Sequence, residues 1–302
     1  MNTTAKQLST PVLFLIFNRP DTTERVFEEI RKAKPKRLFI VADGPRNEEE
    51  REKCEAARAV VEKIDWDCEV KRNYSEKNLG CKIRVSSGID WFFENVEQGI
   101  ILEDDCLPSQ SFFPFCEELL ERYKDDERVG MISGNNFFAQ DFNSKYSYHF
   151  SNHGSIWGWA SWKRAWKNYD VAMKAWTKID QDNMLYNYFY DKKVKNTWKD
   201  RFNNVFNGKI DTWDFQWAFT RYLNRYSTIR PCKNLVANIG FDNRATHTKG
   251  KVNPLFLVKH ELDSALCHPT GFYINYLADK KLINQKKGNG NLLKKIKGFL
   301  RN

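Results

Sequence analysis

The feature that most constrains how this sequence can fold is a set of three short apolar runs in the first third of the chain. Segments with helical spacing separate these runs. The runs are residues 12–17, 37–42 and 99–102. Continuous β-prone runs of this kind are typical of strands that a sheet buries on both faces. Because they alternate with helical segments, they predict a wound α/β sheet. The 41% hydrophobic and 15% aromatic content is enough to build a sizeable core around it.

Turn residues and periodicity predict the elements between these strands. The first run ends before Pro20, and Asp21 or Thr22 is expected to cap a helix with one apolar face. A turn signature at 43–45 closes the second run. The remaining predicted elements are a helix at 48–64, a strand at 68–72 and a helix at 82–97.

Three consecutive acids, Glu103, Asp104 and Asp105, follow the third run. Open α/β sheets bind their ligands at the carboxyl ends of their strands. A hard divalent cation such as Mg²⁺ or Mn²⁺ would neutralise these acids and hold phosphate oxygens. The alternative is a solvated acidic turn.

The usual glycine-rich phosphate loops are absent, since neither GxxxxGK[ST] nor GxGxxG occurs. Any bound diphosphate would therefore need a metal and basic side chains. Arg19, after the first run, and Lys82 and Arg84, after the turn at 78–80, are the candidates. The alternative for each is a solvated surface position.

A carboxylate stands among bulky aromatic residues in the stretch WDFQW, residues 213–217. Such surroundings favour Asp214 as a general base. The alternative is an aspartate that caps a helix. Asp211 is near enough in sequence to be a rival base.

Eight of the ten tryptophans lie between Trp157 and Trp217. In the segment 155–166, Trp157 and Trp159 flank Gly158, and their flat faces could line a pocket for a polar ring. Core packing is the alternative for most of these tryptophans. In the loop 240–248, His247 could bind a metal or donate to a phosphate.

The net charge of +10 is concentrated at the end of the chain. Residues 280–302 hold eight basic and no acidic side chains, so the other 279 residues carry a net charge of only +2. A protein that coats nucleic acid is therefore disfavoured, and we expect no nucleic-acid partner. Residues 291–300, NLLKKIKGFL, have one apolar and one basic helical face. Segment 285–302 is thus expected to bind an anionic membrane surface. The alternative is a solvated, partly disordered terminus.

Seven cysteines, an odd number without a CxxC pair, indicate neither a disulfide framework nor a zinc site. The first ten residues lack the pattern of a secretion signal, and the apolar runs fall far short of the roughly 20 residues that span a bilayer. We therefore expect a cytoplasmic protein with reduced thiols, peripheral on the inner face of the cell membrane.

The order of these motifs resembles a GT-A-fold glycosyltransferase over roughly residues 11–250. The motifs are NRP at 18–20, DG at 43–44, NLG at 78–80, EDD at 103–105, WGW at 157–159, WDFQW at 213–217 and NIGFDNRATHT at 238–248. The likeness is to family 2-like bacterial sugar transferases and, more distantly, to the inverting N-acetylglucosaminyltransferase I type. It implies a Rossmann-like α/β fold with a mixed, mostly parallel central sheet and flanking helices. No Pro, Gly or Ser linker divides the chain, so we expect one catalytic domain at 1–279 and a tail at 280–302. Within the domain, we expect a nucleotide-sugar side at about 11–150 and an acceptor side at about 151–279.

The resemblance also implies roles for particular residues. Asp43 would contact the nucleotide base, Asp104 would lie near the ribose or sugar, and Asp105 would bind the metal with His247. Asp214 would be the catalytic base, although this chain has WDFQW where the N-acetylglucosaminyltransferase I type has two adjacent aspartates, so Asp211 stays an alternative. The implied donor-binding residues are Phe17, Arg19, Asp43, Asn78, Lys82, Arg84, Glu103, Asp104 and Asp105, and the implied acceptor-binding residues are Trp157, Gly158, Trp159 and Trp213.

The function implied by the resemblance is an inverting, Mn²⁺- or Mg²⁺-dependent transfer of a sugar. The donor would be a nucleoside-diphosphate sugar, expected to be UDP-linked, and the acceptor a hydroxyl of a bacterial surface glycan, such as a lipopolysaccharide, or of a lipid-linked saccharide. Two alternatives remain open: a nucleotidyltransferase of related fold, and a non-catalytic protein that binds nucleotide sugars or glycans. A nucleotidyltransferase would normally carry a glycine-rich basic loop after the first strand, and FNRPDTTER is not one.

Overall fold

A large twisted sheet between two helical layers organises the chain. The computed structural model describes residues 7–137, 145–183, 188–189, 191–241, 254–262 and 265–282. The strands are β1 (Val12–Ile16), β2 (Arg37–Ala42), β3 (Glu69–Tyr74), β4 (Gln98–Glu103), β5 (Cys106–Pro108), β6 (Val129–Ser133), β7 (Tyr148–Ser151), β8 (Trp159–Trp162), β9 (Ser227–Pro231) and β10 (Val236–Asn238). The helices are α1 (Pro20–Ala33), α2 (Glu48–Val60), α3 (Gly80–Asn95), α4 (Phe112–Arg122), α5 (Lys163–Trp166), α6 (Trp176–Gln181), α7 (Lys192–Phe206) and α8 (Asp214–Leu223).

Eight strands form the central sheet in the order β3-β2-β1-β4-β8-β6-β9-β7, and β5 pairs with β10 in a separate ribbon. The first four of these strands are mutually parallel, as are β6 and β9. Strand β8 is antiparallel to both of its neighbours, and the edge strand β7 is antiparallel to β9. The predicted mixed, mostly parallel sheet with flanking helices is therefore confirmed.

Strand β1 explains why the first apolar run is uninterrupted. Val12, Phe14 and Ile16 pack into the core on one face of the sheet, and Leu13 and Leu15 into the core on the other. Successive side chains of a strand point to opposite faces, so a strand covered on both sides must be apolar at every position. Helices α1, α2 and α4 contribute to the first core, and α3, α5 and α8 to the second.

Helix α1 begins earlier than the sequence predicts. Arg19, rather than Asp21 or Thr22, is its N-cap residue, and Pro20 occupies the first turn. Proline suits this position because its missing N–H would have no partner inside the helix. The Thr22 and Thr23 hydroxyls donate back to the Arg19 carbonyl oxygen, at 3.3 and 2.7 Å. The cap prediction was therefore wrong, and Arg19 is fixed where β1 ends.

The second half of the chain completes the same sheet, because β8 lies between β4 and β6. Aromatic side chains of α6, α7 and α8 form a third core beside it, with Trp176, Phe202 and Phe219 at its centre. All seven cysteines lie in described residues and none is in a disulfide. Within the described ranges, no helix is both long enough and apolar enough to cross a bilayer.

Candidate active site

The candidate site lies where three adjacent parallel strands end. Strands β2, β1 and β4 are neighbours, and their carboxyl ends lead into Asp43, Phe17 and the acids after Leu102. Because parallel strands end at the same edge, the topology brings these separate segments together. Four carboxylates meet or approach one another here, and we call Glu103, Asp104, Asp105 and Asp214 the acid cluster.

Asp104 joins the end of β4 to the end of β1. Its Oδ2 accepts a hydrogen bond from the backbone N–H of Phe17 at 3.1 Å. Burial, followed by the charge of Asp105, raises the pKa of Asp104 to about 7, and Arg19 opposes this shift. Phe17 itself is half-buried, with the Arg46 guanidinium 5.5 Å from its ring centroid.

Asp105 has the largest set of polar contacts in the cluster. Arg19 Nη1 lies 3.1 Å from its Oδ2, and both side chains are largely buried, at 10% and 22% exposure. Its Oδ1 accepts from Asn238 Nδ2 at 3.4 Å, and its carbonyl oxygen accepts from Ile239 N at 2.8 Å. Burial raises the pKa of Asp105, and Arg19 opposes the rise. The β5–β10 ribbon thus holds Asp105 against Arg19.

Glu103 differs from its neighbours in having a buried carboxylate oxygen without a partner. Its Oε1 is inaccessible and has no hydrogen-bond partner among the described residues. Burial holds the pKa of Glu103 well above its usual range, and the charges of Asp105, Asp104 and Asp214 add to the effect. Because the charge of Asp214 contributes to the raised pKa of Glu103, the first turn of α8 lies close to the end of β4.

Asp214 occupies the first turn of α8, where a negative charge is favoured by the helix dipole. It is half-buried, and the Thr212 hydroxyl donates to its Oδ1. Asp211 is exposed, but it points towards the start of α3: a Cβ on Gly80 would lie 3.0 Å from Asp211 Oδ2. Both carboxylates therefore approach the same region, and the rivalry between them stays open.

Cys81, in the first turn of α3, lies close to these acids. The sequence had indicated no role for it. Burial raises the pKa of its thiol, and the charges of Glu103, Asp211 and Asp214, then Asp43, add to the rise. Acids from the ends of β2 and β4 and from the start of α8 therefore lie near the first turn of α3. The NLG turn before Cys81 was the only signal for this position in the sequence.

Asp43 stabilises the turn that leads into α3. Its Oδ1 accepts from the N–H groups of Gly44 and Leu79, both at 2.9 Å, and its Oδ2 from Gly80 N at 3.1 Å. Burial raises its pKa, while these backbone hydrogen bonds oppose the shift. Asp43 thereby satisfies the open N–H groups at the start of α3. Asn78 supports the same turn, since its Nδ2 donates to the Gly44 carbonyl oxygen at 2.8 Å.

Arg84 does not present its guanidinium as the phosphate ligand that the sequence predicts. It is buried, and its Nε donates to the Ala42 carbonyl oxygen at 3.1 Å, while Nη2 donates to the carbonyl and side-chain oxygens of Asn73. Burial lowers its pKa. Arg84 therefore ties the ends of β2 and β3 to α3. Lys82, two residues earlier, is half-buried and remains a candidate.

Two of the residues expected to bind an acceptor lie in the core. Trp159 is fully buried and Trp213 is 2% exposed, and their rings stack with centroids 5.8 Å apart. They cannot offer an open face, so core packing, the alternative from the sequence, fits both. Gly158 has a φ of +64°, and a Cβ there would lie 2.8 Å from Val236 Cγ2. Its role in the structure is close packing of β8 against β10.

Trp157, in contrast, is half-buried and belongs to a group of partly accessible rings. Phe137, Phe241 and Phe256 surround it, with ring centroids 5.3, 5.6 and 5.4 Å away. Phe241 directly follows Gly240, whose backbone packs against the Asp105 side chain. We call these four rings the aromatic group; it borders the acid cluster.

Two predicted features lie outside the described residues: His247 and the tail segment 285–302. Within the described ranges, no three His, Cys, Asp or Glu side chains converge as a metal-binding set. Mg²⁺, however, is usually held by one or two carboxylates together with substrate phosphates and water. Asp105 and the unpartnered Oε1 of Glu103 fit such an incomplete protein site.

Comparison with known proteins finds no matching family and no matching curated protein. Several solved structures are similar at low identity. A UDP-glucose pyrophosphorylase complexed with UDP-glucose is 8% identical with a TM-score of 0.38, over 74% of this chain and 90% of that one. A 4-diphosphocytidyl-2C-methyl-D-erythritol synthase from Anaerococcus prevotii is 9% identical with a TM-score of 0.33, over 53% and 76%. Mouse xyloside xylosyltransferase 1 in its apo form is 10% identical with a TM-score of 0.33, over 70% and 80%. At such values the likeness carries no argument about activity.

Proposed function

We propose that this protein is an inverting, metal-dependent glycosyltransferase that takes its sugar from a nucleoside-diphosphate sugar, expected to be UDP-linked. One observation carries the proposal: Asp104, Asp105 and Arg19 meet at the ends of β1 and β4, and Asp214 of α8 lies close enough to raise the pKa of the neighbouring Glu103. The motif order described above points to the same chemistry. A solvated acidic turn, the alternative for these acids, fits poorly with Asp104, which is 9% exposed, and with Asp105, whose side chain is 22% exposed.

The donor would lie across the carboxyl edge of the sheet. Phe17, Asp43, Asn78 and Lys82 lie along this edge on the β1 and β2 side, where the base and ribose would bind. Arg19 would stay beside the diphosphate, since a guanidinium pairs well with phosphate oxygens. Arg19 already pairs with Asp105 at 3.1 Å, so donor binding would exchange part of this ion pair for phosphate contacts.

The resident metal would be Mn²⁺ or Mg²⁺, held by Asp105 and, outside the described residues, His247. When bound, it would supply a Lewis acid that stabilises the negative charge of the departing diphosphate. Glu103 would assist through its buried Oε1, and Asp104 would orient the ribose or sugar. This chain's own contribution to charge stabilisation would come from Arg19.

Asp214 would act as the general base. The acceptor oxygen would attack the anomeric carbon while the bond from that carbon to the diphosphate oxygen breaks. The bonding electrons would leave with the diphosphate, and the hydroxyl proton would pass to Asp214. One displacement from the face opposite the leaving group inverts the configuration.

The acceptor would bind beside the aromatic group. Trp157 and its neighbours provide partly accessible rings next to the acid cluster, whereas Trp159 and Trp213 are buried. The C–H face of a sugar ring suits the negative face of an aromatic ring. A bacterial surface glycan or a lipid-linked saccharide would fit a site of this kind, and residues 285–302 would hold the protein at the inner face of the cell membrane, through its anionic lipids.

The choice between Asp214 and Asp211 is testable with matched variants. We expect Asp214→Asn to lower the rate of glycosyl transfer by about 10²–10⁴-fold, the usual contribution of a positioned base. Asp211→Asn is the control, since it removes an equal charge three residues earlier, just before α8. If the rate falls only in Asp211→Asn, then Asp211 is the base. If both variants keep near-full activity, the proposal that one of these carboxylates is the base is wrong.

A nucleotidyltransferase is the second candidate, because it also uses acids at strand ends to hold a metal and phosphates. No glycine-rich basic loop follows β1, which counts against it. A non-catalytic nucleotide-sugar or glycan-binding protein is the third. Isothermal titration with nucleoside diphosphates, with and without Mn²⁺, would favour it if binding were weak and metal-independent and no sugar nucleotide turned over.

A further inference from the structure

The described chain ends in a helical turn, residues 276–282, with two chemically distinct faces. One face is buried and consists of Ala278, Asp279 and Leu282. The other face is exposed and holds two large apolar residues, Tyr276 at 60% and Leu277 at 73%, followed by Lys280 and Lys281. Residues three and four apart share a helix face, so the lysines lie beside the apolar pair. We call Tyr276, Leu277, Lys280 and Lys281 the C-terminal face.

The buried face fixes this turn to the edge strand β7. Asp279 accepts hydrogen bonds from the Ser151 hydroxyl and, at 3.0 Å, from the Asn152 backbone N–H. The buried Arg230 lies close enough to oppose the rise in the pKa of Asp279 that burial causes. Just before the turn, Ile274 forms a parallel bridge with Phe150, and Asn275 N donates to the Phe150 carbonyl oxygen at 2.8 Å. The C-terminal face is therefore held rigidly against the sheet edge.

The exposed side of this turn takes no part in the proposed catalytic site. Leu277 is the most exposed of the large apolar side chains in the described residues, and Tyr273, 48% exposed, lies one turn earlier in sequence. A rigid element that presents a leucine and tyrosines to solvent indicates a contact surface. Tyrosine is common at membrane–water interfaces because its ring is apolar and its hydroxyl is polar.

The positive charge of residues 280–302 indicates which kind of partner this face would bind. From Lys280 to the end of the sequence there are eight basic and no acidic residues. An apolar pair bordered by lysines and continued by a basic segment complements an anionic lipid surface, where apolar side chains enter the interface and cations remain among the headgroups.

We propose that the C-terminal face is a second membrane contact, which inserts Tyr276 and Leu277 into an anionic bilayer while Lys280 and Lys281 pair with its headgroups. This inference rests on the membrane attachment proposed above for residues 285–302. It goes further, because it assigns a membrane contact to residues 276–281, whose position is fixed by the hydrogen bonds of Asp279. The β7 edge of the sheet would consequently face the membrane, and the molecule would bind in one orientation.

The test is co-sedimentation of the full chain with vesicles of phosphatidylcholine containing about one third phosphatidylglycerol, beside vesicles of phosphatidylcholine alone. We expect the double variant Tyr276→Ser/Leu277→Ser to partition roughly tenfold less onto the anionic vesicles, since it loses the apolar area that enters the interface. Leu277→Glu should weaken binding as well. Both sites are exposed, so the thermal unfolding temperature should not change.

The matched control is Phe206→Ser/Val258→Ser, which removes an aromatic and an aliphatic side chain, each 43% exposed, from other surfaces. It should bind like the unmodified chain. The inference is overturned if Tyr276→Ser/Leu277→Ser binds as well as the unmodified chain, or if that chain does not prefer anionic vesicles. Deleting 285–302 in parallel separates the two ideas: if only the deletion abolishes binding, the tail attachment stands and the second contact falls. Sugar-nucleotide turnover is measured without vesicles, so neither result decides the catalytic proposal.

Discussion

Asp105 is fixed by two separate segments of the chain, one at Arg19 and one at residues 238–240. Arg19 reaches it from the end of β1, Asn238 from the end of β10, and the backbone of Ile239 and Gly240 closes over it. A ligand for a metal or a diphosphate must be held in one position, because small displacements cost large factors in rate. The contact with Gly240 is the tightest of these, since it leaves no space for a side chain.

Gly240→Ala therefore tests whether the position of Asp105 matters. A Cβ at this position would lie 2.2 Å from Asp105 Oδ2, so either the carboxylate or the loop must move. We expect the rate of glycosyl transfer to fall by about 10²-fold, as for a misplacement near 1 Å. The measurement is kcat and KM for the sugar nucleotide. Gly271→Ala is the control, because a Cβ there meets nothing within 4 Å. Equal activity in both variants would refute a positioned Asp105.

At the scale of elements, the start of α3 links the fold to the site. Its N-cap residue, Leu79, provides no side-chain hydrogen bond, and Asp43 from the end of β2 accepts from the open N–H groups instead. Gly80 has a φ of +78°, a conformation that glycine adopts readily and other residues rarely do. The same turn lies close to Asp211, since a Cβ on Gly80 would be 3.0 Å from Asp211 Oδ2.

Gly80→Ala should lower both stability and donor binding. We expect a loss of about 1–2 kcal/mol in the free energy of unfolding from the left-handed backbone conformation. A rise in KM for the donor should accompany it, because the new Cβ crowds Asp211 Oδ2 at 3.0 Å. Urea unfolding and steady-state kinetics measure the two effects. Gly208→Ala has a similar φ of +70° in open space, so it should lose comparable stability at unchanged KM. An unchanged KM in Gly80→Ala would separate this turn from the site.

The elements differ in how far the sequence could predict them. The runs that became β1, β2 and β4 were recognisable because strands buried on both faces must be apolar throughout. The burial of Arg84 and of the Trp159–Trp213 pair could not be predicted, because a guanidinium among backbone carbonyl oxygens, or a ring in the core, has the same local sequence as one at a site. The approach of Asp214 to Glu103 depends on tertiary contacts between residues far apart in the chain, which no local spacing reveals.

On the scale of the whole molecule, buried acids at one edge of the sheet make stability depend on pH. Burial raises the pKa of Glu103, Asp104 and Asp105, in the case of Asp104 to about 7. An acid whose pKa is higher in the folded state binds protons more readily when folded. Its stabilising contribution is complete below the pKa of the unfolded chain and is lost as the pH rises through the folded value.

We therefore expect the metal-free protein to lose thermal stability between about pH 6 and pH 8, since Asp104 ionises across this range. The measurement is the unfolding temperature in the presence of a chelator, for the natural sequence and for Asp104→Asn. The variant should show a smaller dependence, because its amide does not ionise. A stability that is flat or that rises over this range in the unmodified chain would contradict the burial of these acids.

The most direct test of the central claim is to identify the products formed from a panel of nucleoside-diphosphate sugars in the presence of Mn²⁺. A glycosyltransferase site at the acid cluster predicts release of the nucleoside diphosphate from at least one donor, with the sugar passed to an acceptor or to water. Asp105→Asn should lower this rate by about 10²-fold or more. Formation of pyrophosphate from a nucleoside triphosphate and a sugar phosphate, without release of a nucleoside diphosphate from any donor, would contradict the account.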